Sequence, residues 1–168
     1  MDIVWRNSLT CPTEEEFLEM VDNKTGTLLS FAIKLMQATS KSETNYSGFV
    51  RMIAIYLTVR DDYMNMQPKN YADDKGFCED LAKGRFSFPI IHSIRTDPSD
   101  RRLLRIIKQR SSSVKFKLLA LQLLEKTQTF AYCQSFLEYM EQQIRLEIKD
   151  LGGNKKLEAI MDLHSVRV

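Results

Sequence analysis

Apolar positions recur along this chain at intervals of three and four, and strand-like alternation is hard to find. That spacing predicts amphipathic helices nearly throughout. "CPTEEEF" opens the first clear one: Thr13 is placed to cap it, Glu16 completes a capping box, and acidic residues fill the first turn. Phe17, Met20 and Val21 begin its apolar stripe; the pattern pauses at "DNKTG" (22–26) and resumes with Leu28, Leu29, Ala32, Leu35 and Met36. "TSKSETNYSG" reads as a loop, and a second long helix is predicted over 47–66. A polar, turn-rich stretch follows from 67 to 89, too long for a plain connection and therefore expected to be functional or irregular. Beyond Pro89 the spacing predicts helices over "IIHSIR", 99–109, 113–126 and 129–151, a sharp stop at "GGN" (152–154), and a last helix over 155–163. No repeat and no low-complexity segment interrupts the series. The expected class is all-α, in one domain covering 1–168.

The long helix over 47–66 carries an oddity. At 100° per residue Phe49, Met52, Ile53, Tyr56, Val59 and Tyr63 share one broad apolar face. Ala54, Thr58, Asp61 and Asn65 form a narrow stripe opposite, with Asp62 beside it. A pair of adjacent carboxylates in a mostly apolar helix calls for something to neutralise it. Basic residues recur on both sides in sequence: Lys24, Lys75, Lys83 and Arg85. Acids and bases gathered in this way suit Mg²⁺ bound to a diphosphate, since that hard cation takes carboxylate and phosphate oxygens while Lys or Arg balances the remaining charge. An adenine-nucleotide site lacks its motifs, because neither GxxxxGK[ST] nor GxGxxG occurs.

Composition narrows the setting. With 43% hydrophobic and 27% charged residues, the 168-residue chain can bury a core. The formal net charge of +2 by itself argues neither for nor against nucleic acid. Three distant cysteines, Cys11, Cys78 and Cys133, read as reduced thiols in a cytoplasmic protein. No apolar run approaches a membrane span, so no transmembrane segment is expected, and "MDIVWRNSLT" lacks the form of a signal peptide. His92 is expected to be packed and His164 exposed, neither with a neighbour at metal-ligand spacing. The eight Met and the aromatic residues fall at helical intervals and read as core.

Taken in order, the motifs resemble the C-terminal part of a trans-isoprenyl diphosphate synthase, closest to the fungal and animal type of geranylgeranyl diphosphate synthase. "MDIVWRN…CPTEEEF", the "KTG" turn at 24–26, "VRDDYMN" as the second aspartate-rich motif, "KGFCEDLAKGRFSFPIIHSIR", "LLEKTQTFAYC" and "LGGN" carry the likeness over nearly the whole chain. The resemblance implies an all-α isoprenoid-synthase bundle. It implies ionisation of an allylic diphosphate assisted by Mg²⁺, attack on the carbocation by the double bond of isopentenyl diphosphate, and loss of a proton. It assigns allylic-diphosphate contacts to Lys24, Thr25, Thr58, Lys75 and Arg85, catalytic roles to Asp61 and Asp62, and the metal to Asp61, Asp62 and Asn65.

Two departures stand out. Leu57 and Thr58 replace the family's Phe-Gln, and Lys83 and Arg85 replace the acid and lysine of its "EGK". The larger departure is the absence of a DDxxD motif: "ADD" (72–74) lies in the long loop, and "TDPSD" (96–100) is broken by Pro98. The chain is therefore expected to lack the family's N-terminal half. It is expected to form a homo-oligomer or to associate with a partner that supplies that half, because an apolar face would otherwise stay open. Isoprenoid diphosphates are the implied substrates, and no nucleic-acid partner is implied. The competing expectation is a non-catalytic subunit that packs against a full-length synthase; a class I terpene cyclase fits less well.

Overall fold

The computed structural model describes residues 2–41, 43–67 and 77–166. Among them the regular structure is helical: α1 (Asp2–Ser8), α2 (Glu14–Val21), a π-helical turn (Asp22–Gly26), α3 (Thr27–Gln37), α4 (Ser47–Asn65), α5 (Glu79–Lys83), α6 (Phe88–Thr96), α7 (Arg102–Gln109), α8 (Val114–Lys126), α9 (Thr129–Asp150) and α10 (Lys155–His164). The all-α expectation therefore holds.

Local chemistry sets many of the boundaries. The capping box forms as the sequence implies: the Glu16 N–H donates to Thr13 Oγ1 at 3.1 Å, and the Thr13 N–H donates to Glu16 Oε2 at 2.7 Å. The pause at "DNKTG" is not a break. It is a π-helical turn that carries α2 into α3, and the wider turn shifts the phase of the apolar stripe. At the far end Gly152 and Gly153 adopt φ of +98° and +79°, which L side chains adopt with strain, and Gly153 N–H closes on Ile148 O at 2.8 Å. Asn154 Oδ1 then accepts from Lys156 N and Leu157 N and starts α10.

The described residues fall into two compact units, one drawn from 1–17 and 61–133, the other from 18–60 and 134–168. The first has a core of Leu81, Phe88, Ile90, Ile91, Ile107 and Leu124, all nearly inaccessible to solvent. Aromatic rings organise it: Phe88 lies 5.9 Å from Phe17 and 6.1 Å from Tyr132, and His92 stacks on Tyr132 at 4.0 Å. His92 is packed, as expected, with Nδ1 2.9 Å from Thr129 Oγ1.

In the second unit the α10 end is tied to α4. Tyr56 Oη and Arg60 Nε both donate to His164 O, at 2.8 and 2.7 Å. Buried Glu141 accepts from Arg145 Nε at 2.9 Å and from Ser165 Oγ at 3.0 Å. His164 is thus half-buried rather than exposed, and its Nδ1 is buried without a hydrogen-bond partner. The three cysteines are unpaired, and burial pushes the Cys78 and Cys133 thiols up to about 12.

Two expectations about packing change. Phe49, Tyr56, Val59 and Tyr63 of α4 are buried as predicted, but so are Ala54 and Ile55 on other sides of the helix. Conversely the α3 stripe is present but not packed: Leu28, Phe31, Leu35 and Met36 are 57–66% exposed, and α3 buries no residue. Among the described residues no helix is long and apolar enough to cross a membrane.

Candidate functional site

Within the first unit, Asp61, Asp62 and Asn65 occupy the last turns of α4, and Arg85 follows α5. Asp61 is exposed. Asp62 points the other way: it is 8% exposed, and its Oδ2 accepts the Phe88 N–H at 2.9 Å. That bond does the work of a helix cap. Ser87 holds the N-cap position of α6 but makes no side-chain cap bond, and its hydroxyl is buried without a partner. Asp62 supplies the acceptor that Ser87 does not.

Burial, and next the nearby Asp80 carboxylate, raise the Asp62 carboxyl to about 7. The Phe88 N–H and the Arg85 guanidinium act against that rise. Asp80, on α5, is also raised by its burial and lowered chiefly by Arg85, whose Nη1 stands 3.2 Å from its Oδ1. Two inward carboxylates and one guanidinium therefore share this part of the unit. Asn65 closes the arrangement: its main-chain carbonyl accepts the Cys78 N–H at 3.0 Å, and its Oδ1 lies 3.5 Å from the Asp80 N–H. Lys83 pairs with Glu79 one helical turn away.

The second unit holds Lys24, Thr25 and Thr58. Lys24 and Thr25 ride on the π-helical turn, Lys24 exposed and Thr25 half-buried. A π-helical turn widens the helix locally and is frequent at functional sites. Gly26 completes it in close quarters: a Cβ there would stand 2.5 Å from Asp22 Oδ1 and 3.8 Å from Ala54 Cβ. Asp22 in turn pairs with Arg51 of α4 at 3.3 Å. Thr58 spends its hydroxyl on its own helix, donating to Ala54 O at 2.8 Å. Lys75 lies outside the described residues.

The donors fit magnesium in kind but not in number. Carboxylate and amide oxygens are its natural ligands. Among the described residues, however, no group of three His, Cys, Asp or Glu converges as a metal site. Asp80 is the residue that sequence reasoning passed over. It lies inside the quoted motif block, but no helical spacing links it to Asp62, and only the fold brings the two carboxylates together.

Comparison with known proteins fits this picture. The family described as polyprenyl synthetase matches residues 1–124. A geranylgeranyl pyrophosphate synthase of Mucor circinelloides f. lusitanicus is 51% identical over 96% of this chain and 54% of its own length. Geranylgeranyl pyrophosphate synthase olcC of Penicillium canescens is 46% identical over 97% of this chain and 49% of its own. Geranylgeranyl pyrophosphate synthase atmG of Aspergillus flavus is 44% identical over 96% and 48%. The chain thus spans about half the length of the relatives it matches.

Proposed function

The chain belongs to the polyprenyl synthetase family, and from that premise we propose that it is one half of a geranylgeranyl diphosphate synthase-like prenyltransferase, acting in isoprenoid biosynthesis in the cytoplasm. The reaction joins an allylic diphosphate to isopentenyl diphosphate: the allylic carbon–oxygen bond breaks, the double bond of the second substrate attacks the carbocation, and a proton leaves. The observation that carries this reading is the grouping of Asp62, Asp80 and Arg85 beside exposed Asp61, within a sequence that matches three synthases over 96–97% of its length.

Each residue has a role in this reading. Arg85, with Lys24, Thr25, Thr58 and Lys75, binds the diphosphate of the allylic substrate. Arg85 is suited to it, since a guanidinium offers five donors in a planar fork. Lys24 and Thr25 offer an ammonium and a hydroxyl at the π-helical turn. Thr58 contributes least, because its hydroxyl is engaged by the Ala54 carbonyl. Asp61, Asp62 and Asn65 would hold one side of a Mg²⁺ site, the remaining ligands coming from outside this chain. Magnesium bound there would neutralise charge that builds on the departing diphosphate.

A partner half, or a second copy, completes the bundle. The exposed Leu28, Phe31, Leu35 and Met36 of α3 support this, since an apolar stripe left in water favours association. The same feature favours a second reading, in which the chain is a non-catalytic subunit bound to a full-length synthase.

One experiment separates them. The chain is incubated with Mg²⁺, an allylic diphosphate and isopentenyl diphosphate. This is done alone and after mixing with the part of the Mucor relative that the chain does not cover. A longer prenyl diphosphate that disappears in Asp61→Ala supports the prenyltransferase. Stable association without product in either mixture overturns it and leaves the subunit.

A further inference from the structure

Arg85 enters the reading above as a diphosphate contact, yet the structure does not leave its side chain to find that contact alone. Asp80 grips it twice. The carboxylate stands 3.2 Å from the guanidinium Nη1, and the Asp80 carbonyl accepts the Arg85 N–H at 2.8 Å. The second bond closes a tight turn over Gly84, whose φ of +68° favours glycine. Asp80 is itself fixed: it is 6% exposed, and Asn65 Oδ1 lies within 3.5 Å of its N–H. The Arg85 side chain is 42% exposed, so Nη1 stands against the Asp80 carboxylate while the side chain still reaches solvent. A guanidinium drawn to a buried carboxylate at one nitrogen has its direction biased and keeps further donors to present to an anion. A lysine ammonium also has donors for both, but all on one nitrogen, so it presents no planar fork with a set orientation. Lys83, the other basic residue of this turn, is paired with Glu79.

We propose that Asp80 is a positioning residue that holds the Arg85 guanidinium in the orientation in which it meets a diphosphate. The proposal rests on the reading that Arg85 contacts that group. It adds a residue to the set and gives a reason for arginine at this position: the fork serves a carboxylate and a phosphate at once.

The test uses the 168-residue chain and inorganic diphosphate, titrated calorimetrically with Mg²⁺ present. Asp80→Asn is expected to weaken binding about tenfold, the low end for an outer residue that orients a ligand group. Arg85→Ala should weaken it at least as much, and the double variant no further, as a role of Asp80 exerted on the diphosphate through Arg85 requires. Arg85→Lys, at a partly exposed position that does not threaten folding, should match Asp80→Asn. Independently of any ligand, the Arg85 Nε–H resonance should move toward that of a free arginine in Asp80→Asn.

Additive losses in the double variant, wild-type affinity in Arg85→Lys, or an unmoved Arg85 resonance would overturn the positioning role and leave the diphosphate reading standing. A wild-type chain that does not bind diphosphate, with the resonance still moved by Asp80→Asn, would overturn the reading and the proposed purpose of Asp80 together.

Discussion

Helices α3 and α4 carry apolar stripes of similar promise in sequence and meet opposite fates. In α4, Ala54, Tyr56 and Val59 are fully inaccessible to solvent, and burial extends around the helix to Ile55. In α3, Leu28, Phe31, Leu35 and Met36 stay more than half exposed. The difference teaches what a hydrophobic stripe specifies. It names the face that wants a partner, and it says nothing about whether the partner belongs to the same chain. For a chain half as long as its relatives, the second question decides which residues form the core.

The sharpest way to break this contrast is to truncate one residue in each helix. Ile55→Ala should cost about 3 kcal/mol in urea-induced unfolding, as expected for a buried branched side chain that leaves a cavity. Leu35→Ala should change stability by less than about 0.5 kcal/mol, the usual range for an exposed position. Comparable losses for the two would mean that the α3 face is covered.

Charge provides the next test, at the end of α4. The Asp62 carboxyl titrates near 7 in the folded chain and near 3.8 when unfolded. Between those values the folded state binds the extra proton, so stability falls as pH rises from about 4 to about 7 and then levels. Asp62→Asn keeps an oxygen for the Phe88 N–H and removes the titration. In metal-free buffer its unfolding free energy should decline less across that window and exceed the wild-type value at pH 8. Parallel pH curves for the two proteins would show that Asp62 is not the group responsible.

A change that touches assembly but not folding comes third. Phe31→Asp should reduce self-association, read by sedimentation, with the melting temperature within about 2 °C of wild type, because the ring is 60% exposed. An unchanged oligomer distribution would mean that α3 is not the associating face.

The smallest effect is expected where α3 begins. A methyl at Gly26 would meet Asp22 Oδ1, the tip of a flexible side chain that can swing away at the cost of its exposed pair with Arg51. The helical backbone at Gly26 favours alanine, so the two effects offset and Gly26→Ala should stay within about 1 kcal/mol of wild type. A larger loss would show that the turn admits no adjustment against α4.

Much of the fold was legible in the chain. The capping box at Thr13, the span of α4 and the Gly-Gly stop before α10 all follow from local chemistry, and the structure places them within a residue or so of expectation. Two short helices were missed. Helix α1 offers a single buried residue, Trp5, and α5 has five residues inside a stretch that reads as loop. Elements that short are held by what they pack against, and their own sequence carries little periodic signal. The pause at "DNKTG" has no helix-breaking signal of its own to interpret, because a π-helical turn shifts the stripe without ending the helix.

The candidate site divides in the same way. Asp61, Asp62, Asn65 and Arg85 could be picked out because their order and spacing form motifs, and motifs are local. The sequence by itself determined the helical class, the family and the residue types suited to a metal–diphosphate, since each depends on near neighbours in the chain. Only the tertiary structure decided that Asp62 turns inward to cap α6, that Asp80 stands beside it and grips Arg85, and that the α3 stripe remains uncovered. Those outcomes depend on which distant segments meet, and burial and charge compensation act only once they do.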